Sequence, residues 1–132
     1  MSDETRGHRP TVGERSDAIA ELASVRGQID ELDRRIVAML NERATLGRSA
    51  GRAKAVAGRR AVRDLERERE VLIRVAMANE GPLAQADLLS IYRRILSATR
   101  SVEHRDRDRA TASGSSEASG ASGEASPTPT AE

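Results

Sequence analysis

Charged side chains stand in this chain where an apolar helical stripe should continue. Following Leu22, Val25, Ile29, Leu32, Ile36 and Met39 in steps of three and four lands on Arg43, after which Leu46 restores the pattern. Lys54 follows 11 residues later, about 1,100° of helical rotation, so both side chains leave the helix within about 20° of each other and about three turns apart. They form a cationic pair on one face. Lys54 is the only lysine among 22 basic residues, and its compact ammonium offers a point charge that the planar guanidinium of arginine does not. Further along, Arg63, Arg67 and Val71 share one face and Asp64, Glu68 and Leu72 the next, so Glu68 borders an apolar stripe. Leu88, Tyr92 and Ile95 lead at the same spacing to Thr99 and then Glu103. Each feature has a plainer explanation beside the functional one. Arg43 can snorkel while Lys54 is solvated near a helix end. The charge run Arg63 to Glu70 can be a surface laced with i,i+4 pairs worth a few tenths of a kcal/mol each, and Thr99 to Glu103 can be a fraying terminus.

Read functionally, these positions outline a pocket lined by several Arg, one Lys, a Glu and a Thr, which suits a small ligand carrying more than one carboxylate. Other chemistries lack their parts. The 132 residues include no Cys, Trp or Phe and a single Tyr, which removes disulfides, thiolate metal sites, a cysteine nucleophile and aromatic base-stacking platforms. There is no Ser-His pair and no glycine-rich phosphate loop, and His8 and His104 stand alone, so no metal site is expected. The net charge of +1 comes from 22 basic and 21 acidic residues that are interleaved, and nucleic acid is not an expected partner. No apolar run approaches the ~20 residues that span a bilayer, and Met1 to Arg15 lacks the apolar region of a secretory signal. The expected location is cytoplasmic, with no membrane partner.

The elements that must position these residues follow from the same periodicity. The stripe from Leu22 through Met39 continues along Leu46, Ala50, Ala53 and Ala57, predicting one helix from an N-cap at Ser16 to a C-cap at Gly58. Such a helix holds about 40 residues and extends ~60 Å. Gly27, Gly47 and Gly51 each weaken it by up to ~1 kcal/mol or mark close packing. A second helix begins near Val62-Arg63-Asp64 and stops at Asn79-Glu80-Gly81-Pro82. The third runs from about Leu83 toward Val102. The predicted class is all-α, with three helices, one very long, spanning residues 16–105. Polar segments at 1–15 and 106–132, the latter rich in Ala, Ser and Gly, are expected to be disordered because they carry too little apolar surface to offset their ordering entropy. Two shorter helices cannot cover so long a first helix, so a homodimer pairing the long helices is the expected remedy.

Val25-Arg26-Gly27-Gln28-Ile29-Asp30-Glu31-Leu32-Asp33, Leu40-Asn41-Glu42-Arg43, Gly51-Arg52-Ala53-Lys54 and Val62-Arg63-Asp64 with Arg67-Glu68-Arg69 together resemble the all-helical, AroQ-type chorismate mutases over about residues 20 to 104. The resemblance implies the type II fold, an intertwined homodimeric helical bundle whose two active sites use both chains. It also implies conversion of chorismate to prephenate in phenylalanine and tyrosine biosynthesis without a cofactor. Carried over by position, Arg26 would enter the partner's site and grip one substrate carboxylate, while Arg43 would hold the other from its own chain. Lys54 would contact the ether oxygen and a carboxylate. Asp64, largely through its backbone, and Glu68 would hold the ring hydroxyl; Arg67 would add positive charge, and Arg63 falls among the substrate-binding residues. Thr99 stands where many members have Ser, and Glu103 where many have Gln beside the ether oxygen. A glutamate there can donate a hydrogen bond only when protonated, which requires either a raised pKa or activity that favours lower pH. The connection Ala55 to Ala61 is one residue longer than the common family pattern, with Ala61 where Pro is frequent.

Helix geometry is compatible with a site shared between chains. Arg26 precedes Arg43 by 17 residues, roughly 100° around the helix, so the two do not easily face one pocket of one chain. Alternatives of other classes are an isochorismate-pyruvate lyase of the same fold and a noncatalytic helical dimerisation module. Some related mutases are stimulated by a partner enzyme of the same pathway, and the resemblance leaves room for such a partner here.

Overall fold

The computed structural model describes residues 8–59 and 64–118. Among these residues there are three helices and no strand: α1 (Val12–Val56), α2 (Leu65–Ala78) and α3 (Gln85–Ala118). The all-α, three-helix class expected from periodicity is the class observed. Two compact units divide the chain, one through Asn41 and one from Glu42 onward. None of the described helices is long and apolar enough to cross a membrane.

In the first unit, α1 starts four residues before the Ser16 cap that the sequence suggests. Thr11 and Glu14 form a reciprocal capping box: the Glu14 N–H donates to Thr11 Oγ1 at 3.2 Å and the Thr11 N–H to Glu14 Oε2 at 2.6 Å. Two amide donors that a helix start leaves without partners are thereby satisfied. The hydrogen bond from the Thr11 backbone holds the Glu14 carboxyl below its ordinary range. Leu22, Val25, Ile29, Leu32, Ile36 and Met39 all lie exposed, at 44% to 55% of their accessible surface. The stripe that periodicity marks as core is thus half open to solvent in the single chain.

The second unit contains the one buried apolar residue among those described, Leu96 on α3. Here the chain leaves α1 through Gly58, which has φ +70°, while the Arg59 N–H donates to Lys54 O at 2.9 Å and the Gly58 N–H to Ala55 O at 3.1 Å. This is a Schellman ending, and Gly58 is the residue that tolerates its left-handed conformation. Asp64 caps α2 by accepting the Arg67 N–H at 3.0 Å. At the other end of α2, Asn79 holds the turn into α3 by accepting from the Gly81 N–H at 3.0 Å and donating to Leu83 O at 3.1 Å.

Helix α3 continues to Ala118, past residue 106 where composition marks the start of a disordered tail. A long-range clasp is one reason. Arg52 on α1 donates through Nε and Nη2 to the two carboxylate oxygens of Asp106 at 2.7 and 2.8 Å. Those hydrogen bonds hold Asp106 below the usual carboxylate range, with the charges of Arg52, Arg48 and Arg109 acting in the same direction. Bidentate geometry of this kind fixes orientation as well as distance.

Close approach of α3 to the end of α1 depends on missing side chains. A Cβ added at Gly47 would collide with the Thr99 methyl group, and one at Gly51 would lie 3.4 Å from Glu103 Cγ. Gly27, by contrast, has nothing nearby. Of the three helical glycines flagged by sequence, 47 and 51 mark packing. A Gly47→Ala variant should therefore melt lower than wild type, because overpacking of ~1–3 kcal/mol outweighs the gain in helix propensity of up to ~1 kcal/mol. Adding Thr99→Ser removes the colliding methyl and should restore most of the lost melting temperature. A Gly47→Ala chain more stable than wild type, measured by thermal denaturation, would contradict this packing account.

Candidate active site

A cavity of about 390 Å³ opens between the end of α1, the start of α2 and the middle of α3, all within the second unit. Its lining includes Arg43, Lys54, Asp64, Arg67, Glu68, Thr99 and Glu103, seven of the nine binding and catalytic residues expected from sequence. Arg63 lies outside the described residues. Arg26 belongs to the first unit and is exposed on α1. Apolar walls come from Leu46, Ala50, Val71 and Leu96.

The polar groups around the cavity are tied to one another before any ligand is considered. Arg43 Nη1 donates to Thr99 Oγ1 at 3.0 Å, and that hydroxyl donates to the Ile95 carbonyl at 3.1 Å. The threonine thus spends its own proton on the helix backbone and offers its oxygen to the guanidinium. Lys54 Nζ stands 3.9 Å from Asp64 Oδ2, whose other oxygen caps α2. Arg67 Nη1 pairs with Glu70 at 3.1 Å. Glu68 reaches across from α2 to α3, where Arg100 Nη1 donates to its Oε1; their side chains are only 16% and 31% exposed. Arg107 Nη2 lies 3.4 Å from His104 Nδ1.

Arg100, His104 and Arg107 also line the cavity and are absent from the sequence-derived set. A usable signal was present. Leu96, Arg100, Glu103 and Arg107 follow one another in steps of four, three and four, so the face that begins with the buried leucine carries two arginines into the pocket. Tracking the neighbouring series through Thr99 to Glu103 passes them by.

The lining carries five cationic side chains, Arg43, Lys54, Arg67, Arg100 and Arg107, against the carboxyl groups of Asp64, Glu68 and Glu103. The excess of cationic over acidic side chains matches a small dianion in sign. Among the described residues no group of His, Cys, Asp or Glu has the arrangement to hold a metal ion. The arrangement can bind two carboxylates, accept a hydroxyl proton at Glu68 or Asp64, and direct the Lys54 ammonium at an oxygen that gains negative charge.

Comparison with known proteins agrees with this geometry. The chain is 38% identical over 87 residues to a bifunctional chorismate mutase/prephenate dehydratase of Aquifex aeolicus (strain VF5), covering 63% of this chain and 24% of that relative. It is 31% identical over the same length to a bifunctional chorismate mutase/prephenate dehydratase of Stutzerimonas stutzeri, with the same coverage. The chain spans about a quarter of the length of these curated relatives. The family model for chorismate mutase type II matches residues 25–104, an interval that contains every residue lining the cavity except Arg107. On that match over more than half of its length, the chain belongs to the chorismate mutase type II family.

Proposed function

We propose that this protein is a chorismate mutase, converting chorismate to prephenate without a cofactor, and that it works as a homodimer with shared sites. The observation that carries the reading is the gathering of Arg43, Lys54, Asp64, Arg67, Glu68, Thr99 and Glu103 around one cavity with an excess of positive charge. The reaction is a unimolecular rearrangement in which a C–O bond breaks as a C–C bond forms. It requires no nucleophile, only a restrained conformer of a flexible dianion and donors aimed at the ether oxygen as charge accumulates there. Arg43, oriented by Thr99, grips one carboxylate. Lys54, kept near Asp64 by attraction, contacts the ether oxygen and a carboxylate. Glu68 and Asp64 hold the ring hydroxyl, Arg67 adds positive charge, Arg63 is a further substrate-binding residue, and Glu103 stands beside the ether oxygen.

The homodimer is supported by the exposed stripe on α1. Completing the burial of six half-exposed large apolar side chains is worth on the order of 5–10 kcal/mol per protomer, comparable to the cost of association. Arg26, on the same segment, then reaches the site as Arg26 of the partner subunit. The same reading puts the protein in the cytoplasm, with its substrate drawn from aromatic amino acid biosynthesis. A second enzyme of that pathway is a candidate stimulating partner, since the relatives carry a prephenate dehydratase on the same chain as the mutase.

Purified protein should consume chorismate and yield prephenate, identified by its acid conversion to phenylpyruvate. Lys54→Ala should lower turnover by at least about a hundredfold, the scale of losing one preorganised donor, while the far-ultraviolet circular dichroism stays helical. Near-normal turnover in that variant would overturn the role given to Lys54.

Glu103 gives a further test. A carboxylate can only accept a hydrogen bond, whereas the amide of Gln donates one. Glu103→Gln should therefore raise kcat/KM for chorismate near neutral pH. A variant no more active than wild type would remove Glu103 from the ether-oxygen contact.

Sedimentation equilibrium should return twice the 14.2 kDa chain mass. Leu32→Glu, which places a charge in the α1 stripe, should shift the protein toward monomer and lower its thermal stability together. A wild-type monomer at micromolar concentration would argue against the shared site.

A further inference from the structure

Arg100 is a cavity residue that neither the motif pattern nor the mutase reading uses. It follows Thr99, the residue that orients Arg43, and its guanidinium crosses the pocket wall from α3 to meet the Glu68 carboxylate on α2. Both side chains are largely shielded from solvent. We infer that Arg100 is a positioning residue for substrate recognition, holding the Glu68 carboxylate in the orientation from which it accepts the substrate's ring hydroxyl. This rests on the mutase reading of the cavity.

Three observations support it. Glu68 begins its helix turn anchored at the backbone, its N–H donating to Asp64 O at 3.0 Å, so the remaining freedom lies in its side-chain torsions. A guanidinium at one carboxylate oxygen removes much of that freedom, because charge-assisted hydrogen bonds are strong and directional. Arg100 also lies one residue from Thr99 and one turn before Glu103 and His104, so α3 carries the orienting group for Glu68 alongside those for Arg43 and the ether-oxygen contact. Displacing Arg100 would remove the cation that holds Glu68 Oε1, and with it the orientation that this contact fixes.

The hydroxyl is present in the ground state and in the transition state alike, so loss of its anchor removes binding energy common to both and raises KM more than it lowers kcat. Arg100→Met keeps the length and apolar stem of the side chain and removes the guanidinium. We expect kcat/KM for chorismate to fall about tenfold or more, the scale of one hydrogen bond to a charged group, with most of the change in KM. On a Glu68→Ala background, Arg100→Met should cause little further loss. If Arg100→Met does not fold, Arg100→Gln is put through the same cycle. Unchanged kinetics in the Arg100 variant overturn the inference, as does an equal fall on both backgrounds, which would mean that Arg100 acts independently of Glu68. A lower melting temperature with unchanged KM reduces the pair to a helix-to-helix strut and overturns it too. A wild-type chain that neither turns over chorismate nor binds a bicyclic dicarboxylate transition-state analogue sinks the mutase reading itself, a result distinct from an active wild type with an indifferent Arg100.

Discussion

Where α3 lies against the end of α1, the two helices come close enough that no Cβ fits at Gly47, and the Gly51 position is tight against Glu103. Helix axes are ordinarily kept about 8–10 Å apart by the side chains between them. Removing those side chains at two positions one turn apart lets Thr99 reach the Arg43 guanidinium and brings Glu103 to the cavity wall. Two helical glycines cost helix stability on their own account. Their cost is offset by contacts that would otherwise be out of reach, so an unfavourable local choice serves the packing of the site.

That packing concentrates charge. Five cations around one small cavity repel one another, and a single buried leucine among the described residues gives little apolar burial to set against the repulsion. Three carboxylates of this unit therefore have structural work besides any contact with a ligand. Asp64 caps α2 and draws in Lys54, Glu68 ties α2 to α3 through Arg100, and Asp106 fastens α3 to α1 through Arg52. These attractions are strongest where solvent is excluded, as at Glu68, and weak where the partner is mostly exposed, as at Arg52. The uncompensated part of the charge remains available to a dianion. Binding such a ligand relieves the repulsion and stabilises the folded chain by mass action.

Helix existence and the α1 ending were legible because they rest on local rules. Three-four periodicity marks each helix, and Gly58 marks a Schellman ending whose hydrogen bonds lie within six residues. The same rules identified Arg43 as a cation in an apolar seam and Lys54 as its neighbour on the face. The α1 start was less legible, since Ser16 and Thr11 are both good caps and only the reciprocal bond from Glu14 decides between them. The extension of α3 was not legible from composition. Asp106 finds its partner 54 residues away, and an Arg/Asp/Ala/Thr/Ser segment reads as a polar tail until that partner is known. Arg100 and Arg107 were hidden by a choice of register: the series through Tyr92 and Ile95 reaches Thr99 and Glu103, whereas the series through Leu96 reaches the arginines as well.

On the proposed reading, one helix links folding to chemistry. The first unit of α1 carries an apolar stripe half exposed in the single chain and, beside it, Arg26; the second unit carries Arg43 and Lys54. Seventeen residues separate the two arginines in sequence. The contact that buries the stripe is then also the one that delivers the partner's Arg26 to the site, so a chain that fails to associate loses apolar burial and a carboxylate clamp together. Such coupling suits the proposed reaction, which needs neither cofactor nor nucleophile. What a rearrangement requires is several donors fixed relative to one another, and the contacts that tie α1, α2 and α3 together around the cavity supply that.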